Sequence, residues 1–560
     1  AKVFFSPRNK TDMLFQGTFW ITLDSSYVIK KIDMSVNTNI NLNWVKDLKI
    51  VQEFDKMEDG NWILSSDEIS VDFGLSKNKM GIFGQRAVYY KDYKINKIRG
   101  DSTYTGLKLV VDKNAEKHDA IFWEKNRFQQ LSKSEKGTYD VIDSVKKVPA
   151  FRRTMDILMI LLEGYKDVGY FDVGPVSTFY SYNPIEGLRL RFGGRTTNKF
   201  SKKYNIESYL AYGFKDENFK YYLGGTYSLT ERNVFEFPVK SIKVSYQDET
   251  KIPGQELQFV QEDNFLLSIK RGVNDKLLYN KTFKIEHLNE FNNHFSYTLG
   301  FENIIQRPSG SLFYNTMDYS LHNNNPDKVN ISELYVNLRY APNEQFYQGK
   351  SYRIPIELKY PVFQLQYSLG SKYLQNDYNY NKLILRIDKR FNMSVIGYSD
   401  VSIEYGKIFG TVSYPELFIA RANQTYSYQL QSYNLMNFLE FVSDEYASLN
   451  YEHCFNGFIF NKIPIVKKLK LREIISCKAL YGKVSDRNNP ENNKDLFKFP
   501  VDNNSVPITY TLDKQPYIEA SVGIANIFKL FRIDLVRRLT YTDHPNVSST
   551  GIRARFKLDF

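Results

Sequence analysis

The chain has 560 residues and a net charge of +12, but its Lys and Arg are scattered rather than gathered in one block, which argues against nucleic acid as a partner. It holds 42 Tyr and 41 Phe against 4 Trp, and its mean hydropathy is −0.45. No run nears the ~20 apolar residues of a membrane helix, since even Ile157 to Leu162 is far too short, yet a β-barrel stays open because it hides its apolar signal in alternation.

In chain order, residues 1–113 predict a periplasmic antiparallel β domain. Phe15 to Leu23 and Tyr27 to Ser35 flank the polar turn Asp24-Ser25-Ser26, and further strands follow at Leu48 to Phe54, Trp62 to Phe73 and Arg86 to Tyr93. Such a meander either curves into a half-barrel with an apolar inner face, as in periplasmic lipoprotein carriers, or is buried against its own helices or a partner. Ala1 is preceded by no basic or apolar leader, so a signal peptide is expected to be removed or to lie outside this chain.

Residues 114–175 predict a helical segment and linker. Charge density rises, Pro149 breaks the pattern, and Phe151 to Tyr165 carries Met155, Ile157, Leu158, Ile160, Leu161 and Leu162 before Gly164. A helix so apolar is expected to pack on one side, under the barrel mouth or on a membrane surface. Gly169 to Pro175 reads as a linker.

Residues 176–560 predict an outer-membrane β-barrel. Leu188, Leu190 and Phe192 alternate with Arg189 and Arg191, and more than a dozen such segments follow, through Phe531/Ile533/Leu535 against Arg532/Asp534. The terminal stretch Gly551 to Phe560 places Ile552, Ala554, Phe556, Leu558 and Phe560 on one face and Arg553, Arg555, Lys557 and Asp559 on the other. Tight connections at Asn526 to Lys529, Lys389 to Asn392, Glu290 to Asn293 and Phe214 to Asn218 are expected at the periplasmic end. Long ones near 541–548, 483–513, 410–440 and 307–329 are expected outside. The fold class is therefore mainly β: a transmembrane antiparallel barrel of about sixteen strands, with fourteen as the alternative, following the periplasmic meander and helical segment.

Chemistry is sparse. The six histidines are dispersed, and no phosphate loop or hydrolase elbow occurs. Glu404, Glu452 and Glu519 are expected to face the lumen and neutralise cations there. No enzyme activity, cofactor or metal is expected. Cys454 and Cys477 are predicted to stay unpaired, offset by about seven residues on neighbouring strands and so beyond the ~7 Å Cα separation of a disulfide.

Two sites stand out. The loop at 410–440 holds Tyr414, Pro415, Arg421, Asn423, Gln424, Tyr426 and Tyr428 and is too apolar to be freely solvated; it either folds into the lumen or meets a partner protein. At the barrel seam, the terminal strand ending at Phe560 is expected to pair with Gly187 to Gly194. That would set Arg553 and Arg555 near Arg189 and Arg191, a cation cluster open to a partner or client strand.

Ser181 to Arg195, Leu338 to Tyr347 and Asn434 to Asp444 resemble blocks of a Bacteroidota outer-membrane family of undefined function, whose members commonly begin with a carboxypeptidase-regulatory-like β-sandwich. That resemblance implies a further N-terminal domain. More distantly, the barrel resembles the Omp85 insertases and translocases, which have sixteen strands and a long loop inserted in the lumen. Ala420-Arg421-Ala422-Asn423 stands where their Val-Arg-Gly-aromatic signature would be, and no POTRA-like modules precede the barrel. The resemblance implies work in envelope biogenesis within an outer-membrane protein assembly or export complex. Its partners would be outer-membrane lipid, lipopolysaccharide and other envelope proteins. The competing expectation is a small-solute channel lined by Arg189 and Arg191.

Overall fold

Period-two patterning becomes two antiparallel sheets with helices between them. The computed structural model describes residues 1–8, 14–37, 40, 42–74, 81–98, 100, 118–127, 130–131, 133–254, 269–272, 275–315, 328–349, 353–357, 359–502 and 504–557. The first sheet is a meander in the order β1 (Lys2–Phe5), β2 (Phe15–Ile21), β3 (Ile29–Val36), β4 (Val45–Lys56), β5 (Trp62–Phe73) and β6 (Ile82–Tyr89).

Three helices follow: α1 (Ala120–Asn126), α2 (Lys133–Lys147) and α3 (Pro149–Glu163). Pro149 opens α3, and Gly164 closes it in the left-handed region at φ 79°. The expected packing is not found: residues 149–159 are all exposed, among them Phe151, Met155, Ile157 and Leu158. No helix is long and apolar enough to cross a membrane.

The second sheet starts with three short strands, β7 (Lys166–Asp167), β8 (Phe171–Val173) and β9 (Tyr180–Asn183). Long strands follow: β10 (Gly187–Thr196), β11 (Tyr204–Gly213), β12 (Phe219–Ser228), β13 (Lys240–Lys251), β14 (Lys276–Glu290), β15 (Phe295–Gly310) and β16 (Val329–Tyr340). After the small hairpin β17 (Gln345–Gln348) and β18 (Arg353–Glu357) come β19 (Val362–Gly370), β20 (Tyr380–Asn392) and β21 (Tyr398–Gly410). The loop strands β22 (Phe418–Ile419) and β23 (Val442–Ser443) pair with each other. The wall resumes with β24 (Glu445–Cys454), β25 (Arg472–Lys483), β26 (Tyr517–Ile527), β27 (Phe531–Arg538) and β28 (Thr550–Phe556). β8 and β9 flank β10 on one side and β11 on the other, and the order continues strand by strand to β28, so these elements form one large antiparallel sheet.

Outward and inward residues separate sharply along β27: Phe531, Ile533 and Leu535 are exposed, whereas Arg532 and Asp534 are fully buried. Turns at 291–294, 393–397 and 528–530 share one end of the barrel, hereafter the short-turn end. The connections at 311–328, 411–444, 484–516 and 539–549 share the other.

Four expectations fail here. Residues 166–173 are wall, not linker: β8 pairs with Gly194 to Thr196 of β10, and β9 pairs with Gly187 to Leu190 of the same strand. Together they make one strand interrupted by Pro175 and a short turn at 176–178, which hides its alternation. The tight turn at 214–218 lies at the long-loop end, because three strands, β12 to β14, separate it from the short turn at 291–294. The seam also differs, because β10 is flanked by β9 and β11 and is not the neighbour of β28. Cys454 and Cys477 are free thiols, but their offset is three residues, since Cys454 stands opposite Ile474.

A loop seated inside the barrel

The loop between β21 and β24 turns inward at Gly410, where φ is +128° and a Cβ would sit 2.6 Å from the Asn379 carbonyl oxygen. Its apolar residues then form the core of the molecule. Tyr414, Leu417, Leu439 and Val442 pack with Leu278, Val329 and Tyr380 of the wall. Tyr433, Met436 and Phe441 pack with Leu480, Tyr517 and Tyr541. Burial of this kind supplies roughly 1.5–3 kcal/mol for each large side chain.

Inward-facing charges of the wall, together with Arg271 from the connection between β13 and β14, grip the loop. Glu519 accepts hydrogen bonds from the amides of Asn434 at 2.8 Å and Leu435 at 3.1 Å. Lys478 donates to the carbonyls of Gln429 and Ser432, both at 2.6 Å. Arg553 donates twice to the Asn434 carbonyl, at 2.7 and 3.1 Å. Arg271 donates to Asn437 Oδ1 at 2.7 Å and to the Met436 carbonyl at 2.8 Å. Such charge-assisted bonds in a protein interior are the strong ones.

Two ion clusters complete the hold. Arg538 donates to both carboxylate oxygens of Glu440 at 2.5 and 3.0 Å, and His544 Nδ1 lies 2.9 Å from the same group. Arg421 donates to Glu404 Oε1 at 2.6 Å, while Arg386 stands 3.5 Å from the other oxygen. Below Arg421 the interior is open: a cavity of about 560 Å³ extends toward the short-turn end past Arg353 and Glu290. A second, of about 410 Å³, shares Glu404 and Arg421 with it and reaches Pro415, Glu333 and Lys382.

The loop also bonds the last strand. The odd-numbered residues of β28 face β27, as Lys557 N to the Leu530 carbonyl illustrates. Ala554 points the opposite way: its amide donates to the Tyr426 carbonyl at 3.0 Å, and its carbonyl accepts from the Tyr428 amide at 2.8 Å. Residues 426–428 thus lie along the far edge of β28 as a parallel bridge centred on Ser427.

The residues expected in the loop site are therefore brought together. Tyr414 lies edge-on to Tyr314, and Pro415 lines the second cavity. Asn423 ties the loop to itself through Ser427 and Asn434. Gln424 accepts from the Phe438 amide. Tyr426 is half exposed at 54%, whereas Tyr428 is buried under Arg532 and bonds Ser476 at 2.8 Å.

The arginines expected to crowd one seam are not together. Arg189 pairs with Glu249 at 2.7 Å, and Arg191 stacks 3.6 Å over Tyr209. Arg553 is turned to the loop, and Arg555 lies near Glu452 and Asp534. Each has its own local surroundings, so the four do not gather into one cluster. Phe560 lies outside the described residues. Sequence reasoning missed Glu440, Lys478, Arg538 and His544. The inward parity of 532, 534 and 538 pointed to the wall residue, but nothing marked Glu440 as its partner.

One loop carboxyl is unlike the rest. Glu416 is buried, neither oxygen has a hydrogen-bond partner, and its pKa is raised to about 8 by burial, which outweighs the nearby Lys382. A carboxyl raised in the folded state contributes its stability fully below its unfolded value. That contribution is lost as pH rises through the folded value. Hydrogen-exchange protection of 412–422, corrected for intrinsic rates, is therefore expected to fall between pH 5 and about 8, and Glu416→Gln to abolish that fall.

The family model described as "Family of unknown function (DUF5686) C-terminal domain" matches residues 163–489, and the one described as "Family of unknown function (DUF5686)" matches 1–93. Among solved structures the chain is similar to BamA from Haemophilus ducreyi lacking POTRA domains 1–3, at 10% identity over 70% of this chain and 71% of that chain, with a TM-score of 0.40. It is also similar to CdiB from Acinetobacter baumannii, at 11% identity over 67% of this chain and 57% of that chain, with a TM-score of 0.32. Among curated proteins, none matches this chain. With more than half of its residues matched by the C-terminal model, the chain belongs to the DUF5686 family.

Proposed function

We propose that the protein is a non-enzymatic outer-membrane barrel of sixteen strands, counting the interrupted one, that works in envelope biogenesis within a protein-assembly or export complex. The exposed belt supports the membrane: Val522, Ile533, Leu535, Ile552 and Phe556 all face outward, a band that water disfavours and hydrocarbon requires. The short-turn end, where the chain enters from the first sheet, is then periplasmic.

The observation that carries the reading is the loop edge on β28. A last strand whose outer edge is met at Ala554 by the protein's own loop, through two backbone bonds, can exchange that partner for another strand. Partners would be other envelope proteins, together with lipid and lipopolysaccharide around the barrel.

The second reading is a small-solute channel, favoured by the polar cavity at the short-turn end. Planar-bilayer recording separates the two. The assembly reading expects no conductance from the intact protein; open-channel currents that fall in Arg421→Ala or Arg386→Ala variants would establish the channel instead.

A further inference from the structure

The connection from β24 to β25, residues 455–471, carries four lysines, at 462, 467, 468 and 470, and no Asp or Glu. It folds as a turn at Phe460–Lys462 and a one-turn helix at Pro464–Lys467. Ile459, Ile463, Ile465 and Leu469 are exposed, Ile465 by 79%, and Lys462 and Lys468 are exposed beside them. A surface that meets only water mixes both signs of charge and gathers few large aliphatics. This one does neither.

The connection starts on the outer side of the wall. Ser399 and His453 stand opposite each other in the β21–β24 ladder, on the face that also carries the pair Ile403 and Leu449. Those two are exposed, whereas Ser399 and His453 keep 1% and 4% of their surface. The Phe455 ring lies edge-on 4.2 Å from His453, and Met393 Sδ is 3.9 Å from Ser399 Oγ, so these two side chains lie over the polar pair. Gly397 abuts the Cys454 carbonyl with no room for a Cβ, and Asn526 donates to the Lys470 carbonyl at 2.6 Å. The turns at 393–397 and 528–530 therefore flank the connection, and they expose Val395, Ile396 and Phe528. Three successive connections extend the outward apolar surface past the ends of the strands.

We infer that residues 459–469 bind anionic phospholipid of the inner leaflet, with Ile463, Ile465 and Leu469 among the acyl chains and Lys462, Lys467 and Lys468 on the phosphates. The inference rests on the membrane reading above, which puts the short-turn end at that leaflet. Two observations favour lipid over a protein partner or a second copy. The first is continuity with the belt. On β25 the outward side runs from Ile475 to Tyr481, about 20 Å along the strand, against an apolar band ~25 Å tall. The connection thus begins where hydrocarbon gives way to headgroups. The second is charge: Lys462, Lys467 and Lys468 form no ion pair with any described residue, and basic amphipathic segments bind anionic leaflets. A lysine meets phosphate as a compact charge on a flexible stem, which suits a lipid head that moves.

The test uses the full chain in vesicles that contain phosphatidylglycerol or phosphatidylcholine with a photoreactive group near the head of one acyl chain, labelled residues being mapped by mass spectrometry. Labels are expected on outward belt residues such as Val522 with either probe. On residues 459–469 the phosphatidylglycerol probe is expected to label about fivefold more than the phosphatidylcholine one. The combined change Lys462→Gln/Lys467→Gln/Lys468→Gln should remove that preference, and Ile465→Ser should lower labelling of the segment by both probes. Labelling of Val522 reports an intact barrel in each variant. A labelled belt with an unlabelled segment would overturn the lipid site and leave the membrane reading standing. Equal labelling of the segment by the two probes would overturn the anionic site. Labelling that falls as the protein-to-lipid ratio rises would assign the segment to a second copy and overturn it as well. An unlabelled belt would overturn the membrane reading itself.

Discussion

Glu440→Ala is expected to cost the seated loop about 3–5 kcal/mol, because it strands a buried guanidinium. Arg538 has no exposed side-chain surface, and Glu440 keeps 2%. Without the carboxylate, Arg538 retains only the Thr540 and Tyr541 carbonyls. Burial pushes the Glu440 carboxyl up, but hydrogen bonds from His544 and Arg538 outweigh it and hold it below the usual carboxylate range. A depressed carboxyl contributes stability that is present above its unfolded value and lost as pH falls through the folded one. Its grip therefore weakens in acid, opposite in sign to Glu416 in the same loop. Hydrogen exchange across 433–444 reads the loss. The paired variant Glu440→Met/Arg538→Met should restore most of the protection, since a buried ion pair is worth little against well-packed apolar side chains. A single variant as stable as the parent would show that the loop does not depend on this pair.

The second large effect is electrical. Replacing residues 415–438 by a short Gly-Ser linker is expected to turn a silent barrel into a conducting one. The wall should survive the deletion, because β21 and β24 are paired directly from Tyr398↔Cys454 to Lys407↔Glu445 and do not need the loop for their ladder. The base of the loop is closed as well, since the Ile408 amide donates to the Asp444 carbonyl at 2.7 Å. Removal joins the two cavities and exposes Glu404, Lys478, Glu519 and Arg553 to water in a polar lumen. Stepwise currents from the deletion variant, absent in the parent, are the expected record. A silent deletion variant would mean that something other than this loop closes the barrel.

Much of this was legible in the sequence, and the failures have physical causes. Alternation at 531–535 and 551–556 gave the wall and its parity, because inward and outward side chains meet opposite solvents. The apolar composition of 410–440 marked the loop as unable to stay in water, and burial of Tyr414, Met436 and Phe441 is the consequence. Alternation was blind to the interrupted strand at 171–183, where Pro175 and a turn break the period. The error carried to the seam, so Arg189 was set against Arg553 when each has its own partner. Pairings such as Glu440 with Arg538, 98 residues apart, depend on how the loop folds back, which no local pattern encodes. The helix α3 read as packed because its apolar density asked for a partner. The described chain does not supply one.

Affinity purification of the full chain from native membranes in mild detergent tests the central claim most directly. The account predicts a stable complex with other envelope proteins, reduced when residues 426–428 are tied to β28 by a disulfide between cysteines at 427 and 554. A solitary monomer under the same conditions, with the barrel intact, would contradict it.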